Sequence, residues 1–359
     1  MANKEKKARV IAFYLPQFHP TPENDVFWGK GFTEWTNVGK AKPLFKGHYQ
    51  PHVPADLGYY DLRLPETREA QADLAKEYGI EGFCYWHYWF GDGKRTLERP
   101  FAEVLKSEKP DLPFCVGWAN ETWSGIWHGE DKKVLIEQKY PGKADYEQHF
   151  LSLVDAFKDP RYIKVDGKPL VYIYRPFQIP DINVFFEAWR GLAVEHGLAD
   201  IYFVGHCQQF EQKNEILQLG FDAVNISRIF DIERFTTSKI KRGVLHRVFK
   251  KLRTYDYEKA SAYFVGSEET ELNCIPTIIP NWDNSPRSGT RAYIMTNSTP
   301  GKFQKHIKDV FKIIEHKPEE NRLVFLKSWN EWAEGNYVEP DLVYGRGYLE
   351  AIQDEVLVK

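Results

Sequence analysis

The sequence predicts a single (β/α)8 barrel, an α/β fold with long insertions in its βα loops. Three observations lead there. Eight apolar runs of strand length alternate with helix-like stretches, the pattern of a parallel sheet built from βα units. The chain has 359 residues, more than the roughly 250 of a plain barrel, which leaves room for insertions. Polar and aromatic residues gather at the same end of every run, and a barrel carries its chemistry at the C-terminal ends of its strands.

The expected strands are 10–15, 82–85, 113–117, 170–174, 201–205, 223–226, 275–279 and 324–326. Five helical stretches lie between or after them. Residues 65–78 open on Pro65, carry Ala70, Leu74 and Ala75, and stop before Gly79. Residues 145–157 place Phe150, Leu151, Val154 and Phe157 on one face. The stretch 182–196 ends at Gly197, 303–316 carries Ile307, Val310, Phe311 and Ile314, and 348–358 closes the chain. A doubly wound open sheet is the alternative. It would want a glycine-rich phosphate turn after the first strand, where Pro16-Gln17-Phe18-His19-Pro20 stands instead.

Read at the strand ends, the sequence offers Gln17, Phe18 and His19, then the run Tyr85 to Phe90 with Trp86 and His87. Trp118, Asn120, Glu121 and Trp123 follow the third strand, and Tyr174 and Arg175 the fourth. His206 and Gln208 follow the fifth, Asn225 and Arg228 the sixth, and Asn281 to Asn284 the seventh. Asn330, Glu331 and Trp332 follow the eighth. A buried core does not require polar groups at one end of all eight strands, so this end is read as the candidate active site. Two insertions stand out. Residues 29–64 hold Glu34, Trp35, His48, His52 and Asp56 and are expected to wall a cleft. Residues 228–263 contain a stretch, 234–253, with eight basic side chains and no acid. Its apolar residues recur at helical spacing, which suits either a helix packed on the barrel or peripheral contact with an anionic membrane.

Composition narrows the partners. The formal net charge is −3, so a nucleic-acid partner has no global electrostatic support. Aromatic residues make up 15% of the chain, and an aromatic-lined cleft suits carbohydrate. Cys84, Cys115, Cys207 and Cys274 lie in or beside apolar runs without a second ligand at metal spacing. They read as buried thiols, and no metal or cofactor is expected. The run 10–15 is stopped by Pro16 and is too short for a secretory signal. No run reaches the roughly 18 residues of a membrane span, so a cytoplasmic protein is expected.

The most informative stretch is Leu326-Lys327-Ser328-Trp329-Asn330-Glu331-Trp332-Ala333-Glu334-Gly335. On a helical turn, Glu331 and Glu334 would have Cβ atoms roughly 5–6 Å apart. Two carboxyl groups so placed, one protonated and one ionised, are the equipment for cleaving a glycosidic bond. Asn-Glu occurs twice at strand ends, at Asn120-Glu121 and Asn330-Glu331, a pairing in which barrel glycosidases use the amide to hold a sugar 2-hydroxyl.

Four motifs carry a closer resemblance. These are Phe13 to Pro20, Gly31-Phe32-Thr33-Glu34-Trp35, Gly117 to Trp123 and Trp329 to Gly335. Together they resemble the WbsX-type proteins, labelled glycosyltransferases of O-antigen and capsule gene clusters, across nearly the whole chain. Through the Asn-Glu-Trp-Xaa-Glu-Gly motif and the barrel these are similar to glycoside hydrolase family 99, whose first strand does not read Leu-Pro-Gln-Phe-His-Pro. That resemblance implies an enzyme that cleaves or transfers α-linked sugars with retention. Glu331 would deprotonate the substrate 2-hydroxyl, which attacks its own anomeric carbon. Glu334 would be the general acid/base, with Glu121 in reserve. Substrate contacts are expected from Gln17, His19, Glu34, Trp35, Trp86, His87, Trp118, Asn120, Trp123, Tyr174, Arg175, His206, Trp282, Asp283, Asn330 and Trp332. Two other classes compete. A sugar-nucleotide glycosyltransferase would need a diphosphate site or an Asp-Xaa-Asp motif, and neither is present in the sequence. A non-catalytic carbohydrate-binding protein would not need the acids.

Overall fold

A computed structural model describes residues 5–125, 130–236 and 252–358, with the backbone alone for 125 and 130–133. The fold is a (β/α)8 barrel. Its strands are β1 (Arg9–Tyr14), β2 (Gly82–His87), β3 (Phe114–Trp118), β4 (Lys168–Ile173), β5 (Tyr202–Cys207), β6 (Ala223–Ile226), β7 and β8 (Leu323–Leu326). Strand β7 comes in two halves, Cys274–Ile275 and Thr277–Ile278, on either side of Pro276. The first half pairs with β6 and the second with β8, so this strand closes the ring. Proline has no N–H for the ladder, but the Pro276 carbonyl still accepts from Phe325 N at 3.1 Å. Every strand pairing around the ring is parallel.

Alternation along the strands decides what faces the barrel axis. Phe13 lies between Trp86 and Phe325, with centroids 4.8 and 4.9 Å away and planes within 2° and 12°. Tyr172 meets Phe13 edge-on at 4.9 Å. This stack plugs the barrel and gives the upper end a rigid floor. Gly117 makes room for it, since a Cβ there would lie 3.2 Å from both Cys84 Sγ and the Trp86 ring. The residues between point outward to the helices, as where Tyr14 Oη donates to Gln71 Oε1 at 2.7 Å on the helix Pro65–Glu77.

The anticipated helices form at Pro65–Glu77, Ile182–Glu195, Pro300–Ile314 and Gly347–Val356. The stretch 145–157 differs: it is two helices, Lys143–Leu151 and Val154–Lys158. Ser152 Oγ donates to the His149 carbonyl at 2.7 Å, a local bond that competes with the helical ladder. The short helices after β2 and β5, Arg99–Ser107 and Lys213–Gln218, were not among the expected elements. Residues 29–64 do wall the upper end, with the helix Glu34–Lys40 packed beside the turn Trp332–Glu334. Of the basic stretch 234–253, residues 237–251 lie outside the described residues. Its two ends face protein acids: Arg234 meets Glu211, and Arg253 donates to Glu233 at 2.6 Å. All four cysteines are buried and unbridged. Among the described residues no helix is long and apolar enough to cross a membrane.

Candidate active site

A cleft opens at the C-terminal ends of the strands, above the aromatic plug. Eleven of the expected catalytic and substrate-contact residues line it: Gln17, Glu34, Trp86, Glu121, Trp123, Tyr174, Arg175, His206, Trp282, Glu331 and Glu334. Trp86 forms the floor. Trp123 stands edge-on to Tyr88 at 5.2 Å, and Tyr174 stacks with His206 at 5.0 Å. Flat apolar faces on several sides suit the stacking of sugar rings.

The two acids come from a local device. After β8 the chain forms a hairpin, with Asn330–Glu331 paired antiparallel to Asn336–Tyr337. The turn between them, Trp332–Glu334, is a 3-10 turn closed by Gly335 at φ +64°. A Cβ on Gly335 would meet Asp283 N at 2.8 Å, and that amide donates to the Glu334 carbonyl at 2.7 Å. Glycine is required there by both conformation and space.

One guanidinium holds three carboxyl groups. Arg287 donates to Glu34 at 2.8 Å through Nε, to Glu334 at 2.6 Å through Nη1 and to Glu331 at 3.2 Å through Nη2. Glu34 also accepts from Asn37 Nδ2 at 2.9 Å. One cation cannot balance three buried anions. Burial, then the Glu334 carboxylate, push Glu331 up to about 8, against the pull of Arg287. At neutral pH Glu331 therefore keeps its proton, and Glu334 takes the shorter of the two Arg287 contacts. Burial alone would lower Arg287, but Glu34, Glu334 and Glu331 together raise it further above its ordinary value.

The raised Glu331 makes a stability prediction. Below its ordinary value of 4.5 the carboxyl is protonated in both folded and unfolded chains. Between there and about 8 only the folded chain keeps the proton. Stability from this group is thus full at low pH and is lost as pH rises, by at most about 1.4 kcal/mol per pH unit. Denaturant midpoints of the wild type and Glu331→Gln, taken from pH 5 to 8.5, should converge or cross in favour of the variant as pH rises. Parallel curves would refute the shift.

Several anticipated contacts lie elsewhere. Trp118 and His87, the last residues of their strands, point outward. Trp118 Nε1 donates to the Trp89 carbonyl at 2.9 Å, and His87 Nε2 faces His149 Nε2 at 2.9 Å. Burial holds His87 down to about 3. His19 is buried beneath the first loop, with Nδ1 lacking a hydrogen-bond partner among the described residues. Trp35 packs behind the cleft against Phe18, Tyr60 and Trp332. Trp332 stacks on Tyr337 at 3.7 Å and donates to Glu339 at 2.6 Å. Asp283 accepts from Gln50 Nε2 at 2.7 Å and lies 2.7 Å from His48 Nε2, away from the cleft.

Both asparagines of the Asn-Glu pairs are also corrected. Asn120 accepts from Arg175 N at 2.7 Å and donates to Arg175 O at 3.0 Å. Asn330 does the same to Leu15, at 2.7 and 3.0 Å. Each amide is spent on the backbone just past a strand end and is fully buried. Its work is to fix where the following glutamate sits. Glu121 reaches the cleft but is clamped by Arg175, through Nε at 2.9 Å and Nη2 at 2.7 Å.

Two charged residues of the cleft were not anticipated, Arg287 and Lys327. Arg287 sits in the short helix Ser285–Ser288, whose Ser-Pro-Arg-Ser sequence reads as an ordinary turn. Lys327 is in phase with inward-facing Phe325, two residues earlier, and alternation could have found it. Among the described residues no group of three or more His, Cys, Asp or Glu is placed to hold a metal ion.

Residues 10–352 match the family described as "Glycosyltransferase WbsX". WxcX of Xanthomonas campestris pv. campestris (strain B100) is 36% identical over 346 residues, which cover 96% of this chain and 49% of that protein. The chain thus spans about half the length of the curated relatives it matches. Among solved structures, a glycoside hydrolase-like protein superposes with a TM-score of 0.64 at 17% identity, covering 100% of this chain and 96% of the other. The GH99 endo-alpha-mannosidase from Bacteroides thetaiotaomicron gives 0.61 at 15% identity, with 97% and 96% coverage. At such identities the likeness is one of fold. The sequence match is one of kinship, and the chain belongs to the WbsX glycosyltransferase family.

Proposed function

We propose that the protein is a retaining enzyme that cleaves or transfers α-linked sugars of a bacterial polysaccharide, with residues 1–359 acting as one catalytic unit and Glu331 and Glu334 as its acid/base pair. The observation that carries this is the pair itself. Two carboxyl groups share one buried guanidinium above an aromatic floor, and one of them keeps its proton at neutral pH. That is the protonation split that glycosidic bond cleavage needs. Membership of a family labelled as glycosyltransferases and a fold like glycoside hydrolases both point to carbohydrate chemistry.

On the family resemblance, Glu331 takes the proton of the 2-hydroxyl while O2 attacks the anomeric carbon. Glu334 protonates the departing oxygen and then takes a proton from the acceptor, and Glu331 returns its proton to O2. This route needs Glu331 ionised at the start. The resting cleft holds the proton on Glu331, so substrate binding must move it across the pair. The electrostatics favour a second reading with the roles exchanged, in which Glu331 is the acid and Glu334 the base, and no prior transfer is needed.

The deciding experiment incubates the protein with a panel of α-linked bacterial oligosaccharides, with and without sugar nucleotides, and follows the products by mass spectrometry. Cleavage or transfer without a nucleotide supports the proposal. Transfer only with a sugar nucleotide would place the protein among nucleotide-dependent glycosyltransferases instead.

A further inference from the structure

Of the three cations that line the cleft among the described residues, two are in ion pairs. Arg175 is paired with Glu121, and Arg287 with Glu34, Glu331 and Glu334. Lys327 also lines the cleft. Among the described residues its ammonium has no hydrogen bond and no ion pair; it lies over the Trp282 ring, 5.4 Å from Nζ to the centroid. Glu334, Glu331 and Glu121 act on it only through space, and burial lowers its proton affinity. A desolvated cation without a partner is costly. Here it lies over the flat face of Trp282, in the lining of the cleft itself.

We propose that Lys327 anchors an oxyanionic substituent on the substrate sugar, a hexuronate carboxylate or a phosphate ester, so that the cleft selects acidic over neutral glycosides. The inference rests on the reading of the cleft as a sugar site. Arg175 and His206 also line the cleft and interact with Lys327 through space, while the nearby carboxyl groups of Glu331 and Glu334 are hydrogen-bonded to Arg287. Burial, then the charges of Lys327 and Arg175, keep His206 neutral, so the ammonium is the charge an oxyanion would meet. A nucleotide diphosphate fits less well. It carries at least two charges and calls for a metal ion or a glycine-rich cradle. No metal-binding group occurs among the described residues, and the first strand is followed by Pro16-Gln17-Phe18-His19-Pro20.

The test is calorimetric titration of the full chain with methyl α-hexuronosides of the gluco, galacto and manno series, their neutral parent glycosides, glucose 6-phosphate and UDP-glucose. At least one acidic monosaccharide should bind about tenfold more tightly than its neutral counterpart, the worth of one charged hydrogen bond. Which of the two classes wins tells carboxylate from phosphate. Lys327→Met should erase the preference and Lys327→Arg should keep part of it. Should Lys327→Met not fold, the wild type still decides, since a preference carried by an ion pair must weaken with added salt. Equal binding of acidic and neutral sugars overturns the inference and leaves the carbohydrate reading intact. A preference that survives in Lys327→Met, or is indifferent to salt, overturns it as well, as does tighter binding of UDP-glucose than of any acidic monosaccharide. Binding of none of these ligands overturns both the inference and the reading beneath it.

Discussion

Arg287→Met should unfold more readily than the wild type by about 3–5 kcal/mol at pH 7.5, the usual cost of removing one partner from a buried ionic cluster. Three carboxyl groups would lose their shared counter-ion at once. They can answer only by taking up protons. The sign follows from linkage. A carboxyl raised on folding gives full stability at low pH and loses it as pH rises, so the deficit should be small near pH 4.5 and large near pH 8. Thermal melts of wild type and variant across that range measure it. A second substitution, Glu34→Gln in the Arg287→Met background, should recover part of the loss, because the two residues are in direct contact. A variant as stable as the wild type at pH 7.5 would mean that the three acids are not held by Arg287. Activity should vanish with the arginine in any case, since both Glu331 and Glu334 lose the group that orients them.

The barrel was legible because its signals are local and repeated. Each strand is a short apolar run, and helices such as Pro65–Glu77 and Pro300–Ile314 open on proline, so the eight strands fall within a few residues of their expected places. The break at Pro276 was hidden, since 275–279 reads as one run until its neighbours are known. The cleft was legible only in part. Treating everything beyond a strand end as cleft-facing ignores alternation, which persists past the last ladder bond. Leu15 and Gln17 continue the phase of Phe13, Tyr88 that of Trp86, Tyr174 that of Tyr172, and Lys327 that of Phe325. All of these line the cleft. His87 and Trp118 lie in the opposite phase and face His149 and the helices. Arg287 follows no such rule. It is delivered by the short helix Ser285–Ser288 across a gap of 253 residues to Glu34, a pairing that no local pattern encodes. The asparagines show a different limit. The sequence marks them as important, but only the fold reveals that the amide is used up on the neighbouring backbone.

The sharpest result should come from the two glutamates compared on two substrates. On an unactivated α-linked oligosaccharide, Glu331→Gln and Glu334→Gln should each lose about 10²- to 10⁴-fold in turnover, the range of general acid/base catalysis. Both should keep substrate binding, because glutamine preserves shape and still accepts from Arg287. The substrate with a good leaving group, such as the glycosyl fluoride, needs no proton on the departing oxygen. It therefore rescues only the variant that lost the acid. Rescue of Glu334→Gln with Glu331→Gln slow on both is the outcome expected from the family resemblance. Rescue of Glu331→Gln instead would assign the acid to the residue that holds the proton in the free cleft. In either case wild-type kcat/KM should fall as pH rises through about 8, where the pair gives up its last proton. The acid variant should lose that limb on the fluoride, where no proton is called for. Full activity in both variants, together with a dead Glu121→Gln, would move the chemistry to the Glu121–Arg175 pair and end the present assignment.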